Sequence, residues 1–92
     1  MDKYNRHMEI CKELNETYIV KNKAYGDSFS VVFKDLGPIS AITRISDKYY
    51  RIKSLITGAE NNVKDEQIED TLKDLANYCI MTLIELENKN GG

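Results

Sequence analysis

Glu66, Asp70 and Asp74 recur every four residues in the C-terminal third of a 92-residue chain. On an α-helix, at about 100° per residue, that spacing stacks three carboxylates in one row, with Asn77 in the same arc. Like charges so placed repel by roughly 0.2–0.5 kcal/mol per pair. A hard divalent cation such as Mg²⁺ turns the repulsion into ligation, because it takes carboxylate oxygens. The alternative is a solvated acidic face. The residues C-terminal to the row favour a site. Ala76, Tyr78, Cys79, Ile80, Met81, Leu83, Ile84 and Leu86 point in every direction around the axis, and a helix apolar all round is expected to be buried all round. Ile68, Leu72, Leu75, Cys79, Leu83 and Leu86 form the expected core stripe, while Met81 and Ile84 share the side of Asp70 and Asp74. The acids therefore open onto a contact surface, either a neighbouring helix or a second subunit.

Cations form the second constellation. Arg44, Lys48 and Arg51 are spaced by four and three and share one face, beside Ile45, Tyr49 and Ile52. They can pair with acids on a neighbouring helix or grip phosphates, for which guanidinium forks are well shaped. Lys21 and Lys23 beside Tyr25 suit phosphate and base, or form an ordinary solvated loop. Glu9, Glu13 and Glu16 lie on the outer side of the first helix, as further ligands or as a solvated face. The only histidine, His7, falls on that helix's apolar side and reads as a packed residue. With one histidine and no serine beside it, Ser-His-Asp and Cys-His mechanisms are excluded. There is no Gly-rich phosphate loop of the Walker type. Hydrolysis, if present, would use a metal-activated water held by carboxylates.

These groups need helices to position them. A first helix is expected from Asp2 to about Val20, with Tyr4, His7 or Met8, Cys11, Leu14 and Tyr18 on its apolar side. Lys21 to Ser28 then read as a loop turning at Gly26 and Asp27. A short helix is expected from Ser28 to Leu36, ended by Gly37. Pro38 suits the first turn of the next helix, which Gly58 stops. Ala59 to Lys64 form a loop, and Asp65 is placed as N-cap of the last helix. Ser30-Val31-Val32-Phe33 is strand-like but too short and isolated to build a sheet. The expected fold is all-α: a small bundle of three main helices plus one short one, as a single domain over residues 1–92.

Such a chain buries about 60–65% of its unfolded surface, which makes it marginal alone and favours oligomerisation. The net charge of −2 and pI near 5.4 argue against wholesale nucleic-acid binding. No apolar run reaches the roughly 18 residues of a membrane span. The N-terminal Met-Asp-Lys-Tyr-Asn-Arg has no hydrophobic stretch after it, so no signal peptide is expected. Cys11 and Cys79 sit at apolar helix positions and read as buried thiols of a cytoplasmic protein.

Three segments in order, Lys23-Ala24-Tyr25-Gly26-Asp27-Ser28-Phe29, Arg44 through Ile52 and Glu69 through Tyr78, carry a family resemblance. They resemble the small phage and bacterial "nucleotide modification associated domain 1" proteins, themselves related to the MazG-like all-α nucleoside triphosphate pyrophosphatases. The similarity runs from about Glu9 to Leu86. The resemblance implies a MazG-like helical domain completed as a homodimer or homotetramer, origin in a phage or mobile element, and Mg²⁺-dependent cleavage of a nucleoside triphosphate. It implies Asp70, Asp74 and Glu66 as catalytic and metal-holding acids, with Glu69 nearby. Lys48 and Arg51 would face phosphates; Lys23, Tyr25 and Asn77 would hold base or sugar. The superfamily's first acidic motif, two glutamates three residues apart and shortly before the second, has its nearest literal match in Glu13-Leu14-Asn15-Glu16, much further upstream, which makes Glu13 the further metal ligand. The helix expected to carry that motif offers a single acid in Asp47-Lys48-Tyr49-Tyr50-Arg51. That departure leaves an alternative open: a module of the same fold that binds nucleotide or a protein without turnover.

Overall fold

The computed structural model describes the backbone of residues 1–58 and 64–91, and the side chains of residues 1–58 and 67–88. The described residues form four helices: α1 (Lys3–Ala24), α2 (Ser28–Leu36), α3 (Pro38–Thr57) and α4 (Lys64–Gly91). There is no strand among the described residues, and the strand-like Ser30–Phe33 segment lies inside α2. The fold is all-α, with three long helices and one short one.

Local chemistry sets most of the helix ends. Asp2 caps α1, its Oδ1 accepting the amides of Tyr4 and Asn5 at 3.0 and 3.2 Å. α1 does not stop at Val20 but continues to Ala24. Lys21-Asn22-Lys23-Ala24 contain neither Gly nor Pro, so nothing local breaks the helix there. The turn is compressed into Tyr25, Gly26 and Asp27. Gly26 (φ 61°) and Asp27 (φ 57°) are both left-handed, a conformation in which Asp is among the few tolerated non-glycine residues. Gly37 (φ 82°) ends α2, its amide donating to the Phe33 carbonyl at 2.8 Å, and Pro38 opens α3. Gly58 stops α3 as expected. α4 begins at Lys64, so Asp65 falls inside its first turn rather than at its cap. The expected loop from Ala59 lies outside the described residues up to Lys64.

α3 and α4 share the most extensive contact; α2 packs on both, and α1 lies against α4. The apolar core consists of Leu14 from α1, Phe33 from α2, and Ala41 and Leu55 from α3. α4 contributes Thr71 and Glu85 to the interior. This reverses the expected core stripe. Leu72, Cys79, Leu83 and Leu86 are exposed, and Ile68 and Leu75 only half-buried. Spacing is a sound guide to which residues share a face, but it gives no indication of what covers that face. α1 shows the same limit: Leu14 is buried and Tyr18 half-buried, but Tyr4 and Met8 stand in solvent. His7 is exposed rather than packed, with Nδ1 3.9 Å from the Cys11 sulfur. Both cysteines are exposed and unbridged, against the expectation of buried thiols. No described helix is long and apolar enough to cross a membrane.

Candidate functional site

The inner face of α4 is polar because the residues one and two turns apart on it are Thr71, Asp74, Tyr78 and Glu85. Thr71 satisfies its hydroxyl within the helix, donating to the Gln67 carbonyl at 2.6 Å. Asp74 is the centre of the arrangement. Lys21 from the end of α1 reaches its Oδ1 at 3.4 Å, and Lys48 from α3 reaches Oδ2 at 3.2 Å. One carboxylate thus ties three helices together. A further link joins α1 to α4 nearby, where Asn77 Nδ2 donates to the Leu14 carbonyl at 3.1 Å.

Beside Asp74 opens a cavity of about 430 Å³ between α1, α2, α3 and α4. Its charged wall holds Lys21, Arg44 and Asp74; its rings are Tyr18, Tyr25, Phe29 and Tyr78. Phe29 and Tyr78 stack with centroids 5.9 Å apart and planes at 24°. Arg44 stands one turn before Lys48 on α3, the i, i+4 spacing that puts both on the side of Asp74. Lys21 and Lys48 pair with the single described carboxylate at the cavity, and Arg44 also lines it, so the local balance is positive. Such a pocket suits an anion carrying a flat ring system: cations take phosphate oxygens, and aromatic faces take a base.

Among the residues expected at the site, Tyr25, Asp74 and Asn77 line the cavity, and Lys48 holds Asp74. The Asn77 side-chain nitrogen is already committed to the Leu14 carbonyl, which gives this residue a positioning role. Lys23, Arg51 and Asp70 are exposed and do not line the cavity. Asp70 lies one turn before Asp74 on α4. Glu13 stands in a different cluster, with Oε1 3.4 Å from Lys73 Nζ and Oε2 3.1 Å from Arg6. The Lys73 ammonium beside it, with Arg6 on its other oxygen, holds the Glu13 carboxyl below the usual carboxylate range. The Glu66 side chain lies outside the described residues. Among the described residues, no three His, Cys, Asp or Glu side chains converge as a ready-made metal site.

Arg44, which spacing sets among the possible phosphate-gripping cations, lines the cavity, and so do Tyr18, Phe29 and Tyr78, which spacing alone does not single out as ligand-binding residues. The signal that would have found part of this set is the true end of α1. With that helix reaching Ala24, Leu14, Tyr18 and Lys21 fall on one face at intervals of four and three. That face looks at α4.

A small all-α protein with a cation-lined, aromatic cavity is defined by these features as a candidate binder of phosphorylated, ring-bearing ligands. The chain belongs to the family described as nucleotide modification associated domain 1, whose model matches residues 21–86. The match begins at Lys21, the first cation of the site, and takes in every other cavity residue except Tyr18. No curated protein and no solved structure matches the chain.

Proposed function

We propose that this protein binds a nucleotide in the Asp74 cavity and processes it as an Mg²⁺-dependent nucleoside triphosphate pyrophosphohydrolase. The observation that carries the reading is one carboxylate held between Lys21 and Lys48, beside a cavity that also presents Arg44 and aromatic rings. Phosphates would lie against Lys21 and Arg44, with Lys48 behind Asp74. The base would lie among Tyr18, Tyr25 and the Phe29–Tyr78 pair. The resemblance to MazG-like pyrophosphatases, and origin in a phage or mobile element, belong to the same proposal.

The donor set is compatible with Mg²⁺. Asp74 and Asp70 stand one turn apart, and Mg²⁺ is commonly held by one or two carboxylates together with substrate phosphates. Asp74 and Asp70 are the residues that would hold it, with Glu66 a turn earlier in sequence. When bound, the ion supplies charge neutralisation and an activated water. The protein's own part is to fix the phosphates with Lys21, Lys48 and Arg44 and to shield them from bulk water with the surrounding rings.

A second reading is favoured by one specific feature. Asp74 is the only described acid lining the cavity, and it is already engaged by two lysines. That suits binding without turnover. Thermal melting against nucleoside mono-, di- and triphosphates, with and without Mg²⁺, tests both readings. A ligand at about a hundred times its Kd should raise Tm by roughly 10 °C or more. Pyrophosphate release from the stabilising nucleotide establishes the enzyme, and stabilisation without product establishes the binding module. No shift with any nucleotide rejects both.

A further inference from the structure

The wall of α4 that carries Asp74 continues to a second carboxylate. Glu85 lies eleven residues further on, within about 20° of Asp74 around the axis and roughly 16 Å along it. At 7% exposure it is the one buried acid among the described residues. Its Oε1 accepts the Ser30 hydroxyl at 3.0 Å, and among the described residues Ser30 is its one hydrogen-bond partner. No described side-chain oxygen is both sealed from solvent and unpartnered. The Oε2 atom therefore keeps access through the cleft that Glu85 lines.

That cleft is small, about 10 Å³, which is room for one water-sized group. Tyr18, Phe29 and Met81 line both the cleft and the Asp74 cavity, so the two meet at the same three side chains. Ile84 and Asp27 complete the cleft, and the Asp27 side chain makes no cap hydrogen bond with α2. The whole site is bipolar. Lys21 and Arg44 stand at the Asp74 end, whereas the cleft is lined by two carboxylates and no cation. A nucleotide has a matching polarity, with phosphates at one end and the hydrogen-bonding edge of a base at the other. The span from Asp74 to Glu85 is comparable to the length of an extended nucleoside triphosphate. An ionised carboxylate accepts hydrogen bonds and donates none. It favours an amino group and opposes a carbonyl oxygen, because two acceptors then face each other with no proton between them.

We infer, on the footing of the nucleotide reading of the Asp74 cavity, that Glu85 reads the base. The cleft takes the exocyclic amino group of adenine, cytosine or guanine and rejects uracil and thymine, whose edges carry carbonyl oxygens in its place. With phosphates on Lys21 and Arg44 and the ring against Tyr18 and Phe29, the amino group enters the cleft and donates to Oε2. Ser30 is a positioning residue, because its hydroxyl fixes Oε1 and with it the direction of Oε2. Burial sharpens the choice: a carbonyl brought against a carboxylate shut away from water finds no donor to compensate it.

Titration calorimetry of the full chain with Mg²⁺ tests this with nucleoside triphosphates that differ in the amino group: cytidine against uridine, and adenosine and guanosine each against inosine. At least one amino-bearing nucleotide should bind about tenfold or more tightly than its counterpart. Glu85→Gln offers the cleft an N–H as well as an oxygen and keeps an acceptor for Ser30. It should retain its helical circular dichroism and lose most of that ratio. Ile84→Phe is the second variant should Glu85→Gln fail to fold. Ile84 is 37% exposed and lines the cleft but not the Asp74 cavity, so a larger ring there fills the cleft and removes the ratio with Glu85 intact. If no amino-bearing nucleotide outbinds its counterpart, or if the ratio survives the substitutions, the role of Glu85 is overturned while the nucleotide site stands. Absence of binding by every nucleotide overturns both.

Discussion

The two faces of α4 carry opposite chemistry, and each is the reverse of what a self-contained helix would show. The inner face, packed on the rest of the chain, carries Thr71, Asp74, Asn77 and a buried Glu85 whose Oε1 accepts the Ser30 hydroxyl at 3.0 Å. The outer face, turned to solvent in the single chain, carries Leu72, Cys79, Leu83 and Leu86. Drawing Asp74 partly and Glu85 almost wholly out of water gives up hydration that must be recovered from specific partners. Those partners are present: two lysines for one, a serine for the other. Polar residues kept inside at that cost point to a site. Apolar residues left outside point to a partner. The contrast separates the part of the helix that lines a cavity from the part that the single chain leaves uncovered.

Substitutions on and off each face put this contrast to the test. The largest effect is expected away from both faces, in the small core that supports them. Phe33 is 4% exposed, and Phe33→Ala should cost about 3–5 kcal/mol and lower Tm by more than about 12 °C, measured by thermal denaturation. On the outer face, Leu83→Ala separates two situations. In solvent it should change stability by less than about 0.5 kcal/mol. Under a partner copy it should cost roughly 2 kcal/mol or more and make Tm depend on protein concentration, which is the outcome expected here. On the inner face, Arg44→Ala and Lys48→Ala should each weaken nucleotide binding about tenfold or more, read by titration calorimetry, with helix content retained. The smallest effect is expected at Glu13, outside both faces. Lys73 and Arg6 hold its carboxyl below the ordinary range, so its contribution to stability is present at neutral pH. It is lost as pH falls through the depressed folded value. Glu13→Gln should therefore melt slightly lower than wild type at pH 7, and the difference should vanish in acid.

Much of the helical scaffold is legible in the sequence because helix ends are local chemistry. Gly37, Pro38 and Gly58 act through their own backbone, and each ends or opens a helix where that chemistry predicts. The end of α1 is less legible because Lys21 to Ala24 hold no breaking residue, and a polar stretch looks like a loop whether or not it is helical. Placing that end too early leaves Lys21 on a loop, as a possible phosphate contact beside Tyr25, and hides that it shares a helix face with Tyr18. Spacing and family resemblance do point to Asp74, Asn77 and Tyr25. The lysine partners of Asp74 come from two other helices, however, and no spacing within α4 can show that. The apolar stripe of α4 is real as a stripe but lies on the outer side of the single chain, not in its core. Periodicity reports which residues stand together; it carries no information on whether the same chain covers them.

Nucleotide binding in the Asp74 cavity is tested most simply by calorimetric titration of the wild-type protein with nucleoside triphosphates in the presence of Mg²⁺, with Arg44→Ala alongside. Saturable binding of at least one nucleotide is expected at one site per chain, weakened about tenfold or more by the substitution. Absence of binding by every nucleotide, or binding that Arg44→Ala leaves unchanged, would contradict the assignment of this cavity.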